Sequence, residues 1–183
     1  MAIPPEHRPL RINMVELLRQ PGAERTSDAT VDPVALDCVI AEGQSQPAGL
    51  VDVAVRAVAG TDDVEVHCQV SIPWAGECRR CLVPVSGTER VEIVERYRPA
   101  GSGHVAGSRE DAEVIAVEGD QIDLVPVVRE TIMIELPAAP LCSPECAGIC
   151  PLCGADRNVA ACACSTEVRD DRWAALDQLR LDD

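Results

Sequence analysis

No lysine and no phenylalanine occur in this chain of 183 residues. Its aromatic side chains are one tyrosine, Tyr97, and two tryptophans, Trp74 and Trp173. The interior must therefore be filled by Val, Ile, Leu and Ala, without the large contributions of buried rings. The same shortage removes the stacking platforms that unpaired bases use. An apolar run near the ~20 residues of a membrane-spanning helix is also missing. Residues 1–10 are interrupted by prolines and hold no apolar stretch, so no signal peptide is expected. These absences point to a cytoplasmic protein with no membrane partner.

With lysine absent, all sixteen basic residues are arginine, and thirty-one acidic residues leave a formal charge of −15. A balance this negative favours solubility and repels nucleic acid at long range. Any RNA contact has to be local, or arranged by a partner protein. The charge suits a basic protein partner at least as well.

What is abundant is cysteine: ten residues, six of them between positions 142 and 164. In a reducing compartment, clustered cysteines are metal ligands more often than disulfides. Cys78-Arg-Arg-Cys81 and Cys150-Pro-Leu-Cys153 have the two-residue gap that turns both thiolates toward one cation, and Gly154 suits the tight knuckle that follows. Cys142 and Cys146 are three residues apart within their gap, and Cys162-Ala-Cys164 is tighter. Eight ligands make two four-cysteine sites. The local pairing joins Cys150 and Cys153 to Cys162 and Cys164. Cys78 and Cys81 then join Cys142 and Cys146, pinning the tail onto the preceding sheet. Two structural zinc ions are the expected cofactors, each supplying folding energy that a polar segment cannot obtain from burial. One site with spare thiols, a redox-active pair and an iron–sulfur cluster are the alternatives. The redox reading lacks a βαβ unit around its Cys-x-x-Cys, and the spacing fits no ferredoxin run. Cys38 and Cys68 stand at apolar strand positions and read as small buried hydrophobes.

The pattern along the chain is mostly of period two. Leu10 to Leu18 predicts a brief helix capped by Asn13 and ended by Pro21 and Gly22. Residues 22–32 read as a polar loop. Alternation then predicts strands at Val34–Ile40, Val51–Val55 and Val64–Val70, joined by turn-forming Gly, Pro and Asp. A fourth strand is expected over Val83–Tyr97 with a break near Gly87, then a mobile loop over 99–108, and a further strand at Glu110–Val117. Asp123 can cap a helix over Leu124–Glu135, with Pro126 in its first turn. Pro137 to Pro140 is a stiff linker. Asp170 to Leu181 has the spacing of a short amphipathic helix. The expected fold is α+β and mostly β: an antiparallel meandering sheet with one packed helix and a C-terminal Cys-rich zinc module. The β-rich domain spans 1–137 and the zinc-binding module with its short helix 138–183.

Nothing in the sequence nominates a catalytic pair. It holds no nucleophile elbow, no Gly-rich phosphate loop after a strand and no His-Glu-x-x-His helix. His7, His67 and His104 have no second His or Glu at metal-site spacing. An enzyme, and with it a small-molecule substrate, is not expected. Arg79 and Arg80, inside the first knuckle, form with Arg90, Arg96 and Arg98 the one local basic group. Ion pairing with Glu77, Glu89, Glu92 and Glu95 is one use of that group; contact between Arg79, Arg80 and RNA phosphate is the other.

The ordered motifs Cys78-Arg-Arg-Cys81-Leu82, Asp123-Leu124 to Leu136-Pro137, and Leu141-Cys142 through Cys150-Pro-Leu-Cys153-Gly154 to Asn158 and Cys162-Ala-Cys164 resemble the YceD family of large ribosomal RNA subunit accumulation proteins. Arg172-Trp173-Ala174-Ala175-Leu176 is similar to that family's tail, and the all-Arg, Val/Ala-rich composition suggests a high-GC actinobacterial member. The resemblance implies a cytoplasmic ribosome-biogenesis factor that supports large-subunit rRNA accumulation or processing. Its implied partners are the pre-ribosomal large subunit, a ribosomal protein or large-subunit rRNA. Some family members lack most of the C-terminal cysteines, which makes zinc a local staple of the fold. Direct RNA binding and zinc-based redox sensing are the rival functions.

Overall fold

A computed structural model describes residues 9–38, 40, 44–101, 114–164 and 172, and the statements below concern these residues. The expected α+β, mostly β class holds. The main sheet has the order β2 (Glu24–Val31), β4 (Val51–Ala59), β5 (Val64–Glu77), β6 (Pro84–Pro99), β7 (Val114–Val117), and β3 (Gln46–Pro47) adds a short pairing onto β5. Its pairs are antiparallel except the last: β7 runs parallel to β6. A separate pair joins β1 (Arg11–Asn13) to β8 (Gln121–Asp123), and two helices, α1 (Met14–Leu17) and α2 (Val125–Glu135), complete the fold.

The period of two decides which face is covered. Val51, Val53, Val55, Ala57 and Ala59 of β4 point inward with Val64, Val66, Cys68, Val70 and Ile72 of β5. Leu10, Ile12 and Met14 from the N-terminal segment, and Ile122, Leu124, Val128 and Ile132 from the β8–α2 segment, complete one continuous core with them. Aliphatic side chains fill it, with Tyr97 and Trp74 at its margins. An ion pair between Arg11 and Asp123 at 2.6 Å and a backbone bond from Leu124 N to Leu10 O hold the two ends of this layer together. Asn13 caps α1 as expected, its Oδ1 accepting from Glu16 N. Asp123 accepts from Val125 N at 3.1 Å, one residue ahead of the α2 cap position, which Leu124 takes.

Three local expectations change. Residues 24–31, read as loop, are a full edge strand with register Glu24↔Val58 to Val31↔Val51. Only Ala29 and Val31 of that strand are buried, so its alternation is hidden, and the pairing is dictated by β4. Residues 34–37, the start of the strand expected over Val34–Ile40, belong to a turn over 33–37. Asp32 Oδ1 accepts from Val34 N, Leu36 and Cys38 bond back to Asp32 and Pro33, and Asp37 has φ +53°. The Asp-Pro start and its side-chain bond outcompete the apolar alternation. Gly87 does not break β6. It leaves room for the Trp74 ring across the strand pair, where a Cβ would stand 2.9 Å from Trp74 Cζ2. Residues 102–113, with most of the expected loop and the start of the following strand, lie outside the described residues, as do the expected C-terminal helix, His7 and His104.

Candidate metal centres

β5 and β6 form one long hairpin, in register from Val64↔Tyr97 to Glu77↔Pro84. Its tip is the segment 78–83, so Cys78-Arg-Arg-Cys81 is the turn of the hairpin. Cys78 N bonds to Val83 O and Leu82 N to Cys78 O, and Leu82 takes a left-handed φ of +62°. A branched residue in that region is strained, and here the closed turn around two thiols holds it there.

The tail reaches the tip through the proline linker. Arg79 N donates to Pro140 O at 2.9 Å, and Ser45 Oγ donates to Pro137 O at 2.7 Å. The thiols of Cys142 and Cys146 then face those of the tip. Cys78 Sγ lies 3.8 Å from Cys146 Sγ, and Cys81 Sγ lies 3.5 Å from Cys142 Sγ. A disulfide would bring sulfurs to ~2.05 Å, whereas a tetrahedral ZnS4 group with Zn–S near ~2.3 Å has edges of ~3.8 Å. The spacing is that of ligands around one cation. Cys150, Cys153, Cys162 and Cys164 form a second group, and within each group all four sulfurs lie within 4.8 Å of one another. Two four-cysteine groups that could hold metal ions are thus assembled, with the membership read from the spacing. They are named here the core centre (Cys78, Cys81, Cys142, Cys146) and the terminal centre (Cys150, Cys153, Cys162, Cys164).

Their environments differ. In the core centre Cys78, Cys81 and Cys146 are buried, with Val85 and Ile149 packed against them. In the terminal centre Cys150 alone is buried, and Cys153 is exposed. Burial works to raise the Cys78 thiol, yet N–H groups of Cys142, Cys81 and Arg80 aimed at its sulfur bring it down to about 6. N–H groups of Cys153 and Leu152 do the same for Cys150, also to about 6, against burial. The fourth thiol of each group is pushed the other way. Cys142 is raised to about 12 by its neighbours Cys81 and Cys146, and Cys164 to about 12 by Cys153 and Cys150. One sulfur per group is prepared as a thiolate, and four thiolates together need a cation.

Arg80 serves the assembly. Its Nη1 donates to Pro144 O at 3.2 Å and to Cys146 O at 2.9 Å, and its own carbonyl accepts from Ile149 N. Arg79 is exposed at the tip. Two further arginines of the basic group, on β6, are in ion pairs: Arg96 with Asp63 at 3.2 Å and Arg98 with Asp62 at 3.4 Å. His67 is half-buried against Glu65 at 2.8 Å and lies in neither group. Cys68 is buried, its thiol raised to about 11 chiefly by burial. Cys38 is part-buried and likewise raised. Cys68 is the buried strand hydrophobe expected; Cys38 instead follows the 33–37 turn, outside any strand, and is only partly buried against the core.

Asn158 was not singled out as a site residue by spacing. It lies in the loop of the terminal centre but donates from Nδ2 to Cys146 Sγ of the core centre at 3.4 Å. A lone Asn in a polar loop carries no sequence signal for such a contact.

The family model for large ribosomal RNA subunit accumulation protein YceD matches residues 66–180, from the β5–β6 hairpin through both centres. The chain belongs to the YceD family. An uncharacterized protein of Mycobacterium tuberculosis is 33% identical over 170 residues, covering 92% of this chain and 80% of its own length. Protein YlbN of Bacillus subtilis is 33% identical over 107 residues, 58% of this chain and 60% of that protein. The chloroplastic large ribosomal RNA subunit accumulation protein YCED homolog 1 of Arabidopsis thaliana is 32% identical over 63 residues, 34% of this chain and 20% of that protein. No solved structure matches. Among the described residues no helix is long and apolar enough to cross a membrane.

Proposed function

We propose that this YceD-family chain is a non-enzymatic ribosome-biogenesis factor that supports large-subunit rRNA accumulation. In this reading its eight clustered cysteines hold two structural zinc ions. The observation that carries the structural half is the spacing of the core centre: sulfurs from the hairpin tip and from the tail, 61 to 68 residues apart in sequence, stand 3.5 and 3.8 Å apart. Zinc there fixes the tail against the hairpin, with no open coordination position for chemistry. The family's description and the chloroplastic relative's name support the ribosomal half.

The partner that best suits the charge of −15 is a basic ribosomal protein on the pre-ribosomal large subunit, in the cytoplasm. Direct rRNA contact is the second reading. It rests on Arg79 and Arg80, both exposed at the hairpin tip. Cells lacking the chain should show a reduced ratio of large- to small-subunit rRNA, restored by the wild type and not by a Cys78→Ser/Cys81→Ser variant. An unchanged ratio refutes the ribosomal reading. Capture from lysate that survives nuclease supports the protein partner; loss on nuclease treatment, with loss in Arg79→Ala, supports RNA.

A further inference from the structure

The two centres are separated by the segment Ala147-Gly148-Ile149, and that segment is held from both sides. From the hairpin tip, Arg80 O accepts from Ile149 N at 2.9 Å. From the terminal loop, Arg157 N donates to Gly148 O at 2.9 Å, and Ile149 pairs with Asp156 in an isolated bridge. Asn158 completes the clamp. Its Oδ1 accepts from Ala147 N at 2.7 Å, and its Nδ2 donates to Asp156 Oδ1 at 2.7 Å and to Cys146 Sγ at 3.4 Å. The amide can only be oriented this way, since Ala147 N needs an acceptor while the carboxylate and the sulfur need a donor.

The loop that carries Asn158 runs from Cys153 to Cys162 and has almost nothing apolar to bury. Its one large aliphatic side chain, Val159, is 84% exposed. A loop without burial is ordered by what closes it, and its ends are thiols of the terminal centre. We propose, on the reading that both groups hold metal, that Asn158 couples the centres: filling the terminal centre places its amide on Cys146 and raises the metal affinity of the core centre. Asn158 is a positioning residue, acting through a ligand sulfur. A hydrogen bond to a thiolate favours the charged form and fixes its direction. By linkage, filling the core centre raises terminal affinity by the same factor.

The test uses the full chain, stripped of metal under reducing conditions and titrated with cobalt(II), then zinc in competition. A Cys153→Ser/Cys162→Ser variant leaves only the core centre. Its core affinity is expected to fall by about 10- to 100-fold, the usual range for loss of a ligand's supporting contact. Asn158→Ala should give a similar loss in the wild-type background and no further loss in the Cys153→Ser/Cys162→Ser background. Asn158→Asp keeps the acceptor toward Ala147 but cannot donate to sulfur, so it too should weaken the core centre. With cadmium-113 in both centres, Asn158→Ala should move the resonance that survives in Cys153→Ser/Cys162→Ser. Far-UV circular dichroism checks the sheet, which residues 24–99 largely build. Equal losses in both backgrounds, or a shift confined to the other resonance, overturn the coupling while leaving two metals bound. Failure of the wild type to take up any metal overturns the underlying zinc reading instead.

Discussion

Gly148 and Gly154 share a backbone conformation, both at φ +72°, and differ in what surrounds them. An alanine at either position carries the left-handed cost of ~1 kcal/mol. At Gly154 that is the whole effect, since no atom lies within 4 Å of the new Cβ. At Gly148 the Cβ would stand 2.8 Å from Arg80 O and 3.2 Å from Arg80 Cβ. That carbonyl accepts from Ile149 N, and the guanidinium of the same residue holds Pro144 O and Cys146 O. Relieving the clash moves the tip away from the tail, and overpacking of this kind costs roughly 2 kcal/mol more. Gly148→Ala should therefore lose about 3 kcal/mol of core-centre binding, on the order of 100-fold, against about 5-fold at the terminal centre for Gly154→Ala. Competition with a chromophoric chelator, read for each centre through its cobalt spectrum, measures both. Equal effects of the two substitutions, or wild-type affinity in Gly148→Ala, would refute the close approach between Arg80 and the 147–149 segment.

Two further outcomes concern pH. Cys78 and Cys150 have thiols lowered to about 6, so the contribution of their thiolates is present above the ordinary thiol range and lost as pH falls through about 6. Acidification should release zinc to a colorimetric chelator while the far-UV signal of the sheet persists; retention of metal at pH 4, or loss of the sheet in step with the metal, would count against it. Cys68 has its thiol raised to about 11, so its contribution is complete below the ordinary value near ~9 and lost as pH rises toward 11, by about 2 kcal/mol. Denaturant midpoints should decline over that interval in the wild type and decline less in Cys68→Ala; parallel curves would refute the assignment.

The parts of the fold legible in sequence are those where one residue's environment follows from its neighbours in the chain. β4 and β5 declare themselves because both are central strands with one fully buried face, which forces strict alternation. β2 is equally regular in backbone but lies at the sheet edge, where its outward and half-exposed positions are polar, and only its partner reveals it. The turn at 33–37 shows the converse. Its alternation of Val34, Leu36 and Cys38 is real, but a Pro with no N–H and an Asp that bonds its own backbone define the local structure first. The membership of both four-cysteine groups was readable from spacing alone for the terminal one. For the core one it needed the further idea that the tail returns to the hairpin. What could not be read is the traffic between them. Arg80 looked like a presented cation and instead holds two carbonyls, and Asn158 bonds a sulfur twelve residues back and in the other group.

The division of labour between burial and metal follows from where apolar residues were spent. The sheet, α1, α2 and the β1–β8 pair share one core of aliphatic side chains that is complete without the tail. Among the described residues after Pro137, the buried positions are Pro140, Cys146, Gly148 and Cys150, while Leu141, Leu152 and Val159 stay exposed. Such a segment cannot fold by hydrophobic burial, so its order must come from the linker bonds, the Arg80 contacts and the cations that eight thiols would hold. On the proposed reading, metal sets where the tail lies relative to the hairpin tip and contributes little to the sheet itself. A chain of this fold could lose its terminal cysteines and keep its sheet, at the expense of a fixed surface around residues 78–82 and 140–158. On the proposed zinc reading, that surface, with exposed Arg79 beside a carbonyl-bound Arg80, is the part of the molecule whose shape depends on metal, and so the part where a partner's binding should track metal content.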